Sequence, residues 1–146
     1  DANEFNVNVK NKSIFYLLFE LFIIILYTRQ RACYTFGIKM EAFKKFKNYK
    51  KIKQNIKGVR YTLWVADNPS KKSIGLSKIR KLPKNHGMIF VYNEDTNNPF
   101  TMKDTYVPLT VIFLDYRQEI VDVFKCKPLD TKLIQPSQNY RYVIEI

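Results

Sequence analysis

Met88–Tyr92, MIFVY, is an uninterrupted apolar run of strand length. Runs of this kind are typical of a strand that is buried on both faces. The turn residues LPKNHG, Leu82–Gly87, precede it, and the polar residues NEDTNN, Asn93–Asn98, follow it as a loop closed by Pro99. The sequence therefore predicts a central strand with a turn before it and a loop after it.

A second strand and a short helix are predicted upstream of this run. Val59–Ala66, VRYTLWVA, is rich in the β-branched and aromatic residues that strands favour. Asn68 then stands at a helix N-cap position, with Pro69 at the first helical position. We expect a helix of about two turns, because Gly75 interrupts it.

Three further strands are predicted downstream. Thr105–Asp115, TYVPLTVIFLD, is a long strand region in which Pro108 marks an edge or a bulge. A polar reversal joins it to Glu119–Phe124, EIVDVF, as a hairpin, and the last strand is Tyr140–Ile146, YRYVIEI. Strands outnumber helices here, so residues 59–146 should form a single, mainly β domain.

Residues 40–58 are interpreted as a basic linker or amphipathic helix ahead of that domain. Residues 40–60 carry eight basic side chains against one acidic side chain, which is +7 of the net charge of +12. Aromatic and aliphatic residues recur every three or four positions between the lysines, at Phe43, Phe46, Tyr49, Ile52 and Ile56. An AT-rich genome would enrich a sequence in lysine, asparagine, isoleucine, tyrosine and phenylalanine without selection for a binding partner. We favour packing or a solvated leader over a membrane-surface helix or a nucleic-acid contact.

Residues 1–39 contain an apolar leader. The run from Ile14 to Tyr27 is fourteen residues long and includes Glu20, whereas a membrane-spanning helix needs about 20 apolar residues. Three interpretations stay open: an upstream extension of a reading frame that starts at Met40, a signal peptide or membrane anchor, and a folded element. The first predicts a cytoplasmic protein, and the second predicts export or membrane association through residues 14–27.

Composition excludes several kinds of site. Cys33 and Cys126 lie far apart and His86 is the single histidine, so neither a disulfide framework nor a structural zinc site of thiols and imidazoles can be assembled. Glycine is scarce, and neither a phosphate-cradling loop, a dinucleotide fingerprint nor a nucleophile-elbow serine occurs. We therefore expect no metal and no cofactor.

Three motifs follow one another in the predicted domain. They are VADNPSKKSIGLSKIRKLP (Val65–Pro83), GMIFVY (Gly87–Tyr92) and FTMKDTYVPLTVIFLD (Phe100–Asp115), and RYVIEI (Arg141–Ile146) ends the chain. In order and spacing they resemble the domain of unknown function 192 family over nearly all of residues 59–146. The resemblance implies a small β sandwich or barrel-like domain with one short helix, often behind an export signal. It implies no established activity.

The chain departs from the family pattern at three positions and at its C-terminus. Thr101 stands where the family often has tryptophan, and Asp104 where it often has asparagine. Thr110 stands in place of the aspartate of the usual Pro-Leu-Asp motif. Family domains also tend to continue with a turn and one more strand. We therefore expect the 59–146 domain to be truncated at its C-terminus.

Four polar residues of the matched motifs are candidate ligand-binding residues: Arg80, Lys103, Asp104 and Thr105. In one interpretation, Arg80 and Lys103 hold a small polar or anionic ligand while Asp104 accepts hydrogen bonds. In the other, which we favour, Asp104 and Thr105 cap the turn into the long strand and Arg80 pairs with a carboxylate such as Asp115. Adjacent strand residues point to opposite faces, so Lys103 and Asp104 are poorly placed for joint catalysis.

Three functions remain open. The first, which we prefer, is a non-catalytic ligand-binding or accessory domain, envelope-associated or phage-derived, that uses the loops around Arg80 and Lys103. The second is a small hydrolase or lyase with Asp104 as its acid–base group. The third is nucleic-acid or membrane-surface binding through basic residues 44–60.

Overall fold

The computed structural model describes residues 41–146, and the mainly β prediction is confirmed. The apolar leader, including the membrane segment predicted at residues 14–27, lies outside the described residues. No helix among residues 41–146 has the length and apolar character needed to cross a membrane. Residues 41–45 are helical (α1). The other elements are β1 (Lys51–Ile56), β2 (Val59–Ala66), α2 (Pro69–Ile74), β3 (His86–Thr96), β4 (Leu109–Leu114), β5 (Ile120–Cys126) and β6 (Tyr140–Glu145).

The six described strands form one open sheet in the order β1-β2-β3-β6-β4-β5. β2 and β3 are parallel, and α2 lies in the crossover between them, as a parallel pair requires. All other neighbouring strands are antiparallel. The family resemblance implied a sandwich or barrel-like form, whereas the described strands form one open sheet with β3 and β6 at its centre.

β3 has the two-sided burial that its apolar run predicts. Met88 and Phe90 belong to the larger core cluster, whereas Ile89 belongs to a smaller aliphatic cluster. Successive strand residues point to opposite faces, so the two clusters lie on the two faces of the sheet. Gly87 lets β6 approach closely, because a Cβ atom there would lie 2.2 Å from the Glu145 carbonyl oxygen.

The larger core is dominated by aromatic side chains. Its biggest fully buried members are Trp64, Tyr140, Phe46 and Phe113. The rings of Phe46 and Trp64 are 4.9 Å apart between centroids, and those of Phe113 and Tyr140 are also 4.9 Å apart. Full burial of one such side chain contributes about 1.5–3 kcal/mol. Packing on the sheet therefore holds the chain segment that follows α1 in place.

Residues 40–58 were interpreted as a basic linker or an amphipathic helix, but the structure is helical only at residues 41–45 and forms a strand from Lys51. Lys51–Ile56 is strand β1, paired with β2 from Lys51 opposite Trp64 to Ile56 opposite Val59. Lys57 and Gly58, with φ of 48° and 78°, form the two-residue hairpin turn between them. The ladder to β2 satisfies the backbone polar groups of this segment, and that pairing outweighs the helical spacing of its side chains.

Two predicted boundaries also differ from the structure. The polar residues after the MIFVY run were expected to form a loop, but β3 continues to Thr96, which is opposite Tyr140 of β6. The long strand expected from Thr105 begins only at Leu109, because the preceding residues form a turn in which Thr105 N–H donates to the Met102 carbonyl. The α2 N-cap, the β4–β5 hairpin and the last strand are confirmed.

Candidate functional site

A cavity of about 260 Å³ opens between α2, the chain that follows it and the sheet. One wall is formed by residues 72–77, and the other by the segment of residues 99–105, called here the 99–105 loop. Three side chains of the sheet also line it: Phe90 and Tyr92 of β3 and Glu145 of β6. The cavity thus combines aromatic rings, hydroxyl groups and charged groups.

Glu145 lies on the central strand and faces the larger core. Its cross-strand neighbours are Met88 of β3 and Val111 of β4, both fully buried, and Glu145 itself is 7% exposed. Within residues 41–146, no hydrogen bond or ion pair engages its carboxyl group. Burial raises the pKa of Glu145 to about 8. The side chain is therefore a neutral carboxylic acid at neutral pH.

The other titratable groups near Glu145 are neutral as well. Burial raises the pKa of the Tyr92 and Tyr140 hydroxyls, and Tyr140 donates a hydrogen bond to the Asn98 carbonyl at 2.8 Å. Burial, and then the negative charge of Glu145, raises the pKa of the Cys126 thiol. A thiol with a raised pKa is a poor nucleophile, so Cys126 is not an activated thiol.

Two lysines supply positive charge at the cavity. The Lys72 ammonium group lies over the Tyr92 ring, 4.1 Å from its centroid, and burial lowers the pKa of Lys72. Lys103 is exposed, and its backbone is held by two hydroxyl groups of the 99–105 loop. Lys103 N–H donates to Thr101 Oγ1 at 3.1 Å, and Thr105 Oγ1 donates to the Lys103 carbonyl at 3.4 Å.

The structure brings only two of the four predicted site residues to the cavity. Lys103 and Thr105 line it, whereas Arg80 and Asp104 are not among the described residues that do. Asp104 has a φ of 57°, and its carbonyl accepts a hydrogen bond from Lys78 N–H at 2.7 Å. Asp and Asn tolerate this left-handed conformation better than most residues, so Asp104 shapes the turn through its backbone.

The proposed pairing of Arg80 with Asp115 is absent from residues 41–146. Asp115 Oδ1 instead accepts hydrogen bonds from the backbone N–H groups of Arg117 and Glu119, at 2.8 and 2.9 Å. Asp115 therefore stabilises the turn between β4 and β5. Arg80 is exposed.

Sequence reasoning missed Glu145, Lys72 and Tyr92. The signal for Glu145 was an acidic residue within the apolar strand YRYVIEI, but alternation alone does not reveal which face of a strand is covered. Among residues 41–146, no group of three or more His, Cys, Asp or Glu side chains is arranged to hold a metal ion. The cavity can thus contact a ligand through two ammonium groups, several hydroxyl groups, aromatic rings and one buried carboxyl group.

Two solved structures are similar to this chain. A candidate transcription regulator from Sinorhizobium meliloti 1021 is 26% identical with a TM-score of 0.61, and the match covers 67% of this chain and 81% of that one. A protein of unknown function from Novosphingobium aromaticivorans DSM 12444 is 22% identical with a TM-score of 0.59, and the match covers 67% and 72% of the two chains. The second likeness shows the fold alone.

A search of the curated proteins found no match to the chain. The sequence model of the domain of unknown function 192 family, described as Uncharacterized ACR, matches residues 51–146. That match begins at the first residue of β1 and covers most of the chain. The protein therefore belongs to the domain of unknown function 192 family.

Proposed function

We propose that this domain is a non-catalytic binding module whose site is the cavity between α2, the 99–105 loop and the sheet. The observation that carries the proposal is a cavity of about 260 Å³ lined by charged, hydroxyl and aromatic side chains. Sites for drug-sized ligands are usually about 300–1,000 Å³ and have the same mixed lining. A cavity slightly below that range favours a ligand of metabolite size.

The positive charge of Lys72 and Lys103 favours an anionic group on the ligand. Ammonium groups bind carboxylates and phosphates through charge-assisted hydrogen bonds. Ser77, Thr101 and Thr105 add hydroxyl groups that can bind further polar atoms of the ligand. The ligand class is therefore a small anionic or hydroxyl-rich molecule.

The geometry supports binding more than catalysis. The Cys126 thiol carries a raised pKa, and Asp104 is not among the described residues that line the cavity. Catalysis by a nucleophile needs a base within hydrogen-bond reach of it, and no such pair lines the described cavity. A hydrolase or lyase with Asp104 as its acid–base group stays a prediction, and unchanged turnover by Asp104→Asn would argue against it.

The test of the binding function compares Lys103→Ala with Arg80→Ala. Calorimetric titration with gluconate, which is anionic and hydroxylated, and with butanoate should show binding by the wild-type chain. Lys103→Ala should weaken it about 5-fold to 10-fold, because an exposed charge-assisted hydrogen bond is lost. Arg80→Ala removes the same charge outside the described cavity lining and should leave the affinity unchanged. Equal losses in the two variants, or no binding by the wild type, would contradict the proposal.

Nucleic-acid or membrane-surface binding through residues 44–60 is the second candidate function. It is favoured by the exposure of every lysine of that segment, including Lys51 and Lys53 on β1. The name of the Sinorhizobium meliloti relative, a candidate transcription regulator, points the same way for nucleic acid. These lysines could instead protect the edge of the sheet from pairing with another chain. Loss of the salt dependence of DNA binding in a variant without Lys51 and Lys53 separates the two roles.

A further inference from the structure

An anionic ligand alone does not explain why a buried acid, Glu145, lines the cavity. Glu145 is more than nine-tenths buried, lines the cavity, and has no partner among residues 41–146. An unpartnered acid in a core position costs stability, because burial removes most of its contacts with water. An apolar residue would fill this position of β6 without that cost.

We propose that the cavity binds a small zwitterion, whose primary ammonium group lies at Glu145 and whose anionic group lies at Lys103 and Lys72. This inference specifies the ligand of the site proposed above and rests on that proposal. Glu145 is the single acidic side chain of the described lining, and Lys72 and Lys103 are its basic side chains. A molecule with opposite charges at its two ends complements both.

The aromatic rings that line the same cavity favour an ammonium group over a neutral hydroxyl group. The rings of Phe90 and Phe100, 5.2 Å apart in an edge-to-face arrangement, line the same cavity. Aromatic faces attract cations, particularly where water is excluded. The Lys72 ammonium group lies over the Tyr92 ring, and within residues 41–146 it forms no ion pair with Glu145.

Binding of an ammonium group changes the protonation of Glu145. The empty site holds a neutral carboxyl group, and the ligand enters as R–NH₃⁺. Glu145 then releases its proton to the solvent, and the carboxylate pairs with the ammonium group, so charge and protons balance. The facing groups are Tyr92 of β3 and Cys126 of β5, whose raised pKa values keep them neutral. Lys72 and Lys103 lie in the other walls of the cavity. Close to one proton should therefore be released per ligand at pH 7.

The experiment titrates the full chain with α,ω-amino acids from glycine to 6-aminohexanoate. Each is compared with the carboxylate of equal length that lacks the ammonium group and with the alkylamine that lacks the carboxylate. Calorimetry in two buffers of different protonation enthalpy counts the released protons. We expect one chain length to bind about 10-fold more tightly than either analogue and to release a proton.

The Glu145→Gln variant supplies the second comparison. It should bind that amino acid no more tightly than the matched carboxylate, while its affinity for the carboxylate stays at the wild-type value. The zwitterion inference is overturned if the wild type binds the amino acid no more tightly than the matched carboxylate. It is also overturned if Glu145→Gln still binds the amino acid more tightly than that carboxylate. If carboxylates still bind in a Lys103-dependent way, the binding function stands without the zwitterion. If none of these molecules binds, both proposals fail.

Discussion

Glu145 shows how the environment of one side chain decides its charge. A carboxyl group on the surface is ionised at neutral pH, but this one is surrounded by the fully buried Met88 and Val111 on the neighbouring strands. Desolvation penalises the charged form and raises the pKa of Glu145 to about 8, from an ordinary value of 4.5. The residue is thus a carboxyl group at the centre of the sheet that is uncharged at neutral pH.

The raised pKa of Glu145 predicts a pH dependence of stability. Between pH 4.5 and about 8, the folded chain holds a proton that the unfolded chain releases. The free energy of unfolding should therefore fall as the pH rises through this window, by about 1.4 kcal/mol per pH unit from this group. Urea unfolding of the wild type and Glu145→Gln at pH 5, 6, 7 and 8 measures the difference, because the variant lacks this contribution.

Glu94→Gln is the matched control for that measurement. Glu94 is exposed on β3, and its substitution changes the side chain in the same way. Its stability curve should run parallel to that of the wild type. A Glu145→Gln curve that is also parallel to the wild type would mean that Glu145 is ionised in the folded chain.

At the scale of elements, α2 depends on its N-cap more than on packing. None of its six residues is buried, whereas the Asn68 side chain accepts a hydrogen bond from Lys71 N–H at 2.9 Å. The Lys71 ammonium group also pairs with Asp67 at 2.7 Å. So short a helix has little stability of its own. These contacts before its first turn therefore position one wall of the cavity.

Asn68→Ala should destabilise α2 and weaken binding at the cavity. Loss of an N-cap usually costs about 1 kcal/mol, so the melting temperature should fall by about 4–8 °C in a domain of this size. Butanoate affinity should fall as well, because residues 72–77 form a cavity wall. Ser70→Ala, an exposed substitution inside the same helix, should change neither quantity. Identical melting temperatures for the two variants would show that the cap is dispensable.

At the scale of the whole molecule, positive charge is concentrated at one edge of the sheet. β1 pairs only with β2, so its outer edge has no partner strand within residues 41–146. Lys51 and Lys53 lie on this strand and are exposed. Lysines on an edge strand hinder edge-to-edge association, which gives the basic segment a role that needs no partner.

Replacing Lys51 and Lys53 with valine should promote self-association. Light scattering at increasing protein concentration should show a rising mean mass, because valine favours strand pairing and the charge repulsion is gone. Lys84→Val with Lys127→Val removes two exposed lysines outside the strands and serves as the control. If the two double variants associate equally, hydrophobic exposure rather than the strand edge is responsible.

The same Lys51 and Lys53 variant tests nucleic-acid binding. If that function applies, the wild type should bind duplex DNA with an affinity that falls steeply as salt rises, and the variant should lose about 2 units of that slope. Substitution is preferable to a chain that begins at Val59, because such a chain would lack β1.

Local patterns in the sequence were enough for much of the fold. The MIFVY run identified the central strand, Asn68 and Pro69 identified the start of α2, and EIVDVF identified one strand of the β4–β5 hairpin. These features depend on backbone preferences and side-chain alternation within a few residues, which the sequence states directly. The resemblance to the domain of unknown function 192 family was read from the same segments, and the family match confirms it.

Only the tertiary structure decided which side chains meet at the cavity. Alternation divides a strand into two faces but does not say which face the other elements cover, so Glu145 could not be identified as buried. β1 was hidden for a related reason, since its strand form depends on pairing with β2 rather than on its own spacing. Of the four predicted site residues, Lys103 and Thr105 line the cavity. Arg80 and Asp104 are not in the described lining, because backbone turns that no local motif specifies direct this part of the chain.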